Sequence, residues 1–461
     1  MNFSRRQLFL GLGTTLAFLG LKNNISPVQA QSVPALPNSV PPKPVLPTLP
    51  PINAAEFLQK TEINREPIYQ QFLQLAAAGV EDKPALLYQG ISTSPYQSQI
   101  NNFAVRLQKK PDGKKLVDGI KANTTFKPYP KLGELPIIDE KGLKFLHEDI
   151  KEACICVGSF SAGNFQVKWL GRDALANDEY WSSTKIIPML NVISRMSKKD
   201  PNFNFDNYKI SGIDQTKELK SFPFYDLARD IVTYEQKIAS SNSLAAMFKR
   251  FSDQVELEKW LKSITGNNDL VFRGRYGEKP FIDQPQVLET KSNKALLEPF
   301  SGQPRWVANA ISAYDLTRVI STLGWYNYIP PTSRLPFVQW QSLTTLIRAL
   351  GTDCARLTDL AIQTLGLQNS LESVVIISKL GNGATGTRQR TEAVYVALVQ
   401  FIDNRPVAAG KPPKFITLTM ALRGARALNP RDLNREVVEL DARMATEVTE
   451  IIRRAAIGNL V

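Results

Sequence analysis

The sequence predicts an α+β fold built on a five-stranded antiparallel sheet flanked by helices. Three observations predict it. Two short β-patterned runs stand together before residue 175, and three more follow residue 370. Between them lies a long stretch that reads as mainly helical. An amphipathic helix closes the chain. Strands, a helical insert, then strands again put the two halves of one sheet far apart in sequence.

The elements follow in order. Residues 53–80 carry Phe57, Ile63, Ile68, Phe72 and Leu75 at helical intervals, and they open a helical N-terminal region over 53–140. The rest of that region is polar, with Pro and Gly punctuation. Residues 153–157 and 165–170 read as strands joined by a hairpin turn over 158–163. The insert spans about 182–370. Residues 373–379, 393–402 and 414–422 are the three later strands. Residues 432–455 place Leu433, Val437, Val438, Leu440, Met444, Val448 and Ile451 on or near one helix face.

Composition narrows the chemistry. The 461 residues are 43% hydrophobic and 21% charged, as in a globular protein with a sizeable core. A single histidine, His147, leaves no room for a His-rich metal site or for His-based nucleophilic catalysis elsewhere. Three cysteines cannot make a multi-bridge scaffold. Cys154 and Cys156 lie two apart on a predicted strand and read as adjacent core thiols; Cys354 reads as helical core. The net charge of +13 is diffuse. It suits weak attraction to an anionic surface, and no basic helix or aromatic pattern argues for nucleic acid.

The first residues read as an address. Arg5 and Arg6 precede an apolar stretch over 8–21, too short to span a bilayer, and Val28-Gln29-Ala30 fits a cleavage site. Residues 1–30 are thus expected to be a twin-arginine export signal. The protein would work in the periplasm or an equivalent lumen, touching membrane only through that signal. Residues 31–52 form a stiff linker, with eight of the 30 prolines between 34 and 51.

Three short segments carry the candidate chemistry. Ser182-Ser183-Thr184-Lys185 starts an apolar run, with Ser182 as a possible helix N-cap and Lys185 one turn on. A serine nucleophile needs a base, and a desolvated lysine can serve where histidine is lacking. Taken alone, the pattern also describes an ordinary capped helix. Ser240-Ser241-Asn242 stands 58 residues later at a turn into a helix. Lys379-Leu380-Gly381-Asn382-Gly383 ends a β-run. Two decoys fall away. Gly381-x-Gly383-x-x-Gly386 spells a dinucleotide fingerprint, but the following 392–401 is β-patterned, and the pyrophosphate site needs a helix there. Ser159-x-Ser161-x-Gly163 lacks the first glycine of a nucleophile elbow.

In that order, S-x-x-K, S-x-N and K-x-G over residues 145–461 resemble the penicillin-recognising serine hydrolases, and among them the class A β-lactamases and related penicillin-binding proteins. The resemblance implies a β-lactamase/transpeptidase-like domain over 141–461. It implies Ser182 as acylated nucleophile, Lys185 as its base, Ser240 as proton relay and Lys379 as the cation bridging Ser240 and a substrate carboxylate. Asn242 would hold the substrate amide. Gly381, Asn382, Thr385 and Arg388 would line the substrate edge, Arg388 pairing with the carboxylate. The Ser182 and Asn382 N–H groups would form the oxyanion hole. The substrate would be a β-lactam or a D-Ala-D-Ala-type peptide of peptidoglycan. No metal or organic cofactor is implied.

Departures from the family pattern are also visible. Leu380 replaces its threonine and Ser241 its aspartate. A deacylating glutamate is expected between the second and third motifs; Glu278, 38 residues after Ser240, is the candidate, ahead of Glu289 and Glu298. The 139 residues from Ser240 to Lys379 exceed the usual insert, so loops 302–306 and 326–336 are placed to reshape the cleft. A β-lactamase, a DD-peptidase and a catalytically weak binding protein all stay open.

Overall fold

The computed structural model describes residues 54–78, 85–111, 117–118, 125–161, 163–385 and 387–461. The expected export signal and Pro-rich linker lie outside the described residues, as does Gly386.

Five long strands carry the fold: β1 (Ile150–Ser161), β2 (Asn164–Arg172), β3 (Leu371–Thr385), β4 (Arg390–Asp403) and β5 (Lys414–Arg426). They pair antiparallel in the order β3-β4-β5-β1-β2. The sheet is larger than expected. Lys127–Pro128 and Ile138–Asp139 both pair with β2, and Val117–Asp118 pairs parallel with β5, making eight strands. Runs of two residues carry no periodicity, so composition could not announce them.

The burial of β4 explains its unbroken apolar pattern. Every residue from Thr391 to Phe401 is buried, because helices cover both sheet faces. Strand alternation separates those faces. On one, a Cβ at Gly324 of α6 (Ala313–Gly324) would stand 2.2 Å from Leu398 Cδ1. On the other, a Cβ at Gly424 would meet Leu440 Cδ1 of α9 (Leu433–Ile457) at 2.8 Å. Leu398 faces Thr419 across the ladder, and Gly424 lies five residues beyond Thr419, so α6 and α9 cover opposite faces.

The insert between β2 and β3 is helical only in part. It contains α2 (Ile186–Lys199), α3 (Phe224–Thr233), α4 (Ser241–Lys249), α5 (Gln254–Thr265), α6, α7 (Trp340–Leu350) and α8 (Leu357–Thr364). It also contains a four-stranded sheet, ordered Ala295–Leu297, Gln286–Glu289, Tyr208–Ile213, Leu219–Pro223, and a two-stranded pair of Val271–Phe272 with Asn309–Ala310. These strands are short, and Leu219 and Ile213 are exposed, so their apolar alternation was blurred.

The helix expected over 53–80 is two pieces, Ala54–Phe57 and α1 (Glu66–Ala77), with Pro67 in the first turn of α1. Ion pairs hold this end to α9: Arg454 to Glu62 at 3.0 Å, and Arg65 to Glu447. Residues 52–461 form one compact unit, so packing is continuous across residue 140. The expected turn over 158–163 is also shorter. Pairing continues to Ser161↔Asn164. Cys154 and Cys156 are buried free thiols. Cys354 is buried but lies in the loop between α7 and α8, outside any helix. Trp325 is core, its Nε1 donating to Thr417 Oγ1 at 2.8 Å.

Candidate active site

The site forms where the start of α2 meets the open edge of β3. The chain enters α2 through a 3-10 turn, Trp181–Lys185. Ser182 is therefore not the expected side-chain N-cap: it sits inside that turn, which has no side-chain cap bond. The turn lies against β3, and the glycines of the third motif make room. A Cβ on Gly381 would stand 2.8 Å from Ser183 N and 3.1 Å from Ser182 N. One on Gly383 would stand 2.4 Å from the Trp181 ring. Trp181 itself has φ +48°, a left-handed conformation that non-glycine residues adopt at a cost. Its indole donates to Glu392 Oε2 at 2.7 Å. The strained residue stands immediately before Ser182.

Lys185 is 1% exposed. Its Nζ donates to Ser241 Oγ at 2.9 Å and Asn242 Oδ1 at 2.7 Å. Burial, reinforced by the Lys379 charge and opposed by Glu278, holds its pKa well below that of an ordinary lysine. A neutral amine keeps two N–H bonds and one lone pair. Ser241 and Asn242 use both hydrogens, which leaves the lone pair as a proton acceptor.

Lys379 is fully buried on β3. Its Nζ donates to Tyr234 Oη at 2.7 Å and to Leu380 O at 2.9 Å. Burial pulls its pKa down to about 8, while Asp353 and Cys354 resist the fall. Tyr234 follows α3 in a left-handed conformation, φ +56°. Its hydroxyl donates to Leu380 O at 2.8 Å and shares a hydrogen bond with Ser182. Burial raises its pKa well above the usual phenol range, so the phenol is a neutral donor. Its ring lies 4.0 Å from Lys379 Nζ and 5.7 Å from Lys185 Nζ.

The edge of β3 has a fixed polarity. Leu380 N–H donates to Asp353 Oδ1 at 3.4 Å and its carbonyl accepts from Tyr234, so both point away from β4. Asn382, two residues on, aims its own N–H out of the same edge. Leu380's side chain is fully buried, and alternation puts it on the face opposite Lys379.

The structure thus brings Ser182, Lys185, Asn242, Lys379, Gly381 and Asn382 to one corner. It adds Ser241 and Tyr234, which the sequence reading did not select. Other expected residues are engaged elsewhere. Ser240 caps α4, accepting from Ser243 N at 3.0 Å, and its hydroxyl donates to Glu278. It makes no bond to Lys185 or Lys379. Glu278 is exposed beside the corner; its loop touches the site through Tyr276 Oη, 3.2 Å from Thr184 Oγ1. Arg388 is spent on Glu179 at 2.8 Å and on both oxygens of Glu392 at 3.1 and 2.8 Å. Thr385 Oγ1 accepts from Arg388 N at 3.1 Å. No motif pointed to Tyr234. Ser241 held the middle position of one, and its polarity was the available signal.

No family model matches the chain, and no curated protein matches it. Among solved structures it is similar to a β-lactamase from Desulfarculus baarsii DSM 2075, at 14% identity over 66% of this chain and 93% of that one, TM-score 0.35. A β-lactamase from Streptosporangium roseum matches at 11% identity over 68% and 98%, TM-score 0.37. A peptidoglycan synthetase from Bifidobacterium adolescentis ATCC 15703 matches at 10% identity over 66% and 58%, TM-score 0.22.

Proposed function

We propose that the chain is an exported acyl-serine hydrolase, attacking an amide that lies beside a carboxylate. One observation carries this reading. Lys185 is buried with no carboxylate within ion-pair distance among the described residues, and its hydrogens are fixed so that its lone pair is available. An isolated buried ammonium is costly, so the amine is held neutral, as a base must be.

In this reading Ser182 Oγ attacks the amide carbon and Lys185 Nζ takes its proton. Negative charge on the carbonyl oxygen is received by the Ser182 and Asn382 N–H groups. The C–N bond then breaks, the leaving nitrogen takes a proton from the Tyr234 hydroxyl, and the proton that Lys185 took is passed on to Tyr234, so that Lys379 Nζ, donating to Tyr234 Oη, keeps its charge. Lys379 also supplies the positive charge for the substrate carboxylate. Water then hydrolyses the ester, returning Ser182.

β-Lactam amides are the first substrate class. A D-Ala-D-Ala peptidase of peptidoglycan is the second, and the exposure of Glu278 and its bond to Ser240 favour it. A carboxylate so engaged is poorly placed to activate water, which makes the acyl-enzyme long-lived.

The test is an intact-mass time course with benzylpenicillin beside Ser182→Ala. A mass increase equal to the drug, absent in the variant, is the expected result. Persistence of the adduct selects the peptidase; rapid loss with drug turnover selects the β-lactamase. Absence of both adduct and turnover rejects acyl-serine chemistry on β-lactams and leaves a catalytically weak binding protein.

A further inference from the structure

One buried lysine belongs to none of the motifs. Lys249 closes α4, the helix that brings Ser241 and Asn242 to Lys185. Asn242 and Lys249 are seven residues apart, about two helical turns, so they share one face of α4. Lys249 is 1% exposed, with no carboxylate within ion-pair distance among the described residues. Its Nζ donates to Gly274 O at 2.7 Å and to Asn309 Oδ1 at 3.2 Å. It stands 4.1 Å from the centre of the Phe272 ring and 4.7 Å from that of Tyr276. Asn309 Oδ1 also accepts from Gly274 N at 2.9 Å. Gly274 is thus clamped at both its N–H and its carbonyl. A Cβ there would stand 2.7 Å from Asn309 N, so the fit requires glycine.

The clamped glycine starts the segment that reaches Lys185. Tyr276, two residues on, is buried, and its ring centre lies 5.6 Å from Lys185 Nζ. One ring therefore touches both buried amines. The Tyr276 hydroxyl is 3.2 Å from Thr184 Oγ1, in the Trp181–Lys185 turn. With the Tyr234 ring at 5.7 Å, Lys185 Nζ is flanked by two phenols, one bonded to Lys379 and one seated on Lys249. Lys379, Glu278, Tyr234 and Tyr276 are the titratable groups facing Lys185. Desolvation is the largest cause of its lowered pKa, and Tyr276 is part of that cover. Glu278 opposes the shift from an exposed position, where solvent screens it. Burial pulls the pKa of Lys249 itself down to about 7; with or without its charge, the amine keeps the two N–H bonds that the clamp uses.

We propose that Lys249 is a positioning residue for the base: by clamping Gly274 it seats Tyr276 over Lys185 and closes that side of the amine to water. Naming Lys185 the base rests on the acyl-serine reading given above; the clamp itself does not.

The experiment reads Lys185 directly. The protein is labelled with carbon-13 at lysine Cε, and the Lys185 signal is assigned by its loss in Lys185→Met. That signal is titrated in wild type, Lys249→Met, Asn309→Ala, Tyr276→Ala and the double variant Lys249→Met with Tyr276→Ala. Water admitted to the amine raises its pKa, so the titration moves up by about one pH unit in each single variant. Asn309→Ala keeps the Lys249 amine, so its shift is not that of a lost charge. The double variant moves no further than Tyr276→Ala alone, because Lys249 acts through that ring. The acid limb of benzylpenicillin acylation moves up with the titration. Thermal melting is followed alongside. Lowered melting with an unmoved Lys185 titration makes Lys249 a stability residue only and overturns the proposal. A double variant that adds the two shifts overturns it as well. If Lys249→Met does not fold, Asn309→Ala decides by the same titration. If benzylpenicillin acylates none of the proteins, wild type included, the acyl-serine reading has failed. The titration then still decides the clamp: a raised Lys185 pKa keeps it, and an unchanged one removes it.

Discussion

Two clusters of charge flank the Trp181–Lys185 turn, and they are built on opposite principles. At the rim, Arg388, Arg390 and Arg423 share Glu179, Asp178, Glu392 and Glu152 in a closed network, so each cation has a carboxylate. At the corner, Lys185 and Lys379 are buried without a carboxylate within ion-pair distance among the described residues. A saturated network gives shape and has nothing left to offer a ligand. Buried amines held by hydroxyls, an amide oxygen and an aromatic face keep depressed pKa values, the condition an amine needs to act as a base near neutral pH. The difference teaches that a charge supports chemistry when its neighbours leave it uncompensated, whatever its motif position suggests.

The largest expected effect breaks the corner. Lys185→Met removes the base while filling similar volume, and acylation by benzylpenicillin is expected to fall by about 1000-fold or more. The wild-type pH profile sharpens the same point. Acylation is lost as pH falls through the lowered pKa of Lys185, because the amine then holds a proton. It also declines as pH rises through about 8, where Lys379 loses its charge. Lys379→Arg, always charged, is expected to remove the alkaline limb. A profile unchanged by that substitution breaks the assignment.

A smaller effect separates Tyr234 from Ser240. Tyr234→Phe removes the hydroxyl shared by Lys379 and Ser182, and a loss of about 100-fold in acylation is expected. Ser240→Ala removes a helix cap, so it lowers unfolding stability by about 1 kcal/mol and leaves acylation within a few-fold. The reverse order of effects on acylation would restore Ser240 as the relay.

The smallest catalytic effect is at the rim. Arg388→Ala is expected to change acylation by less than about tenfold, because its guanidinium is already compensated. It should lower thermal stability, since Glu392 is buried and loses a partner. A collapse of acylation at unchanged stability would instead make Arg388 a carboxylate-binding residue.

Much of this was legible in the chain. Strand periodicity located the five long strands, because each has buried faces that demand apolar residues. The spacing of Ser182 and Lys185 fixed them within one turn of each other, whereas the close approach of the Trp181–Lys185 turn at Gly381 and Gly383 was not read from the sequence. Hydroxyl-rich segments were harder. Ser240, Ser241 and Tyr234 have similar local credentials, and which one meets a lysine depends on how α3 and α4 seat against β3. Glu278 and Arg388 read as available charges because sequence does not reveal which partner arrives first. The Tyr88 hydroxyl donates to Asn382 Oδ1 across 294 positions, with nothing in either segment to announce the contact. Local sequence determined the elements and the residue types able to do chemistry, because periodicity and covalent spacing act over a few residues. The tertiary structure alone decided which of them are buried, which are neutralised and which meet, because desolvation and pairing are set by groups brought together from hundreds of residues apart.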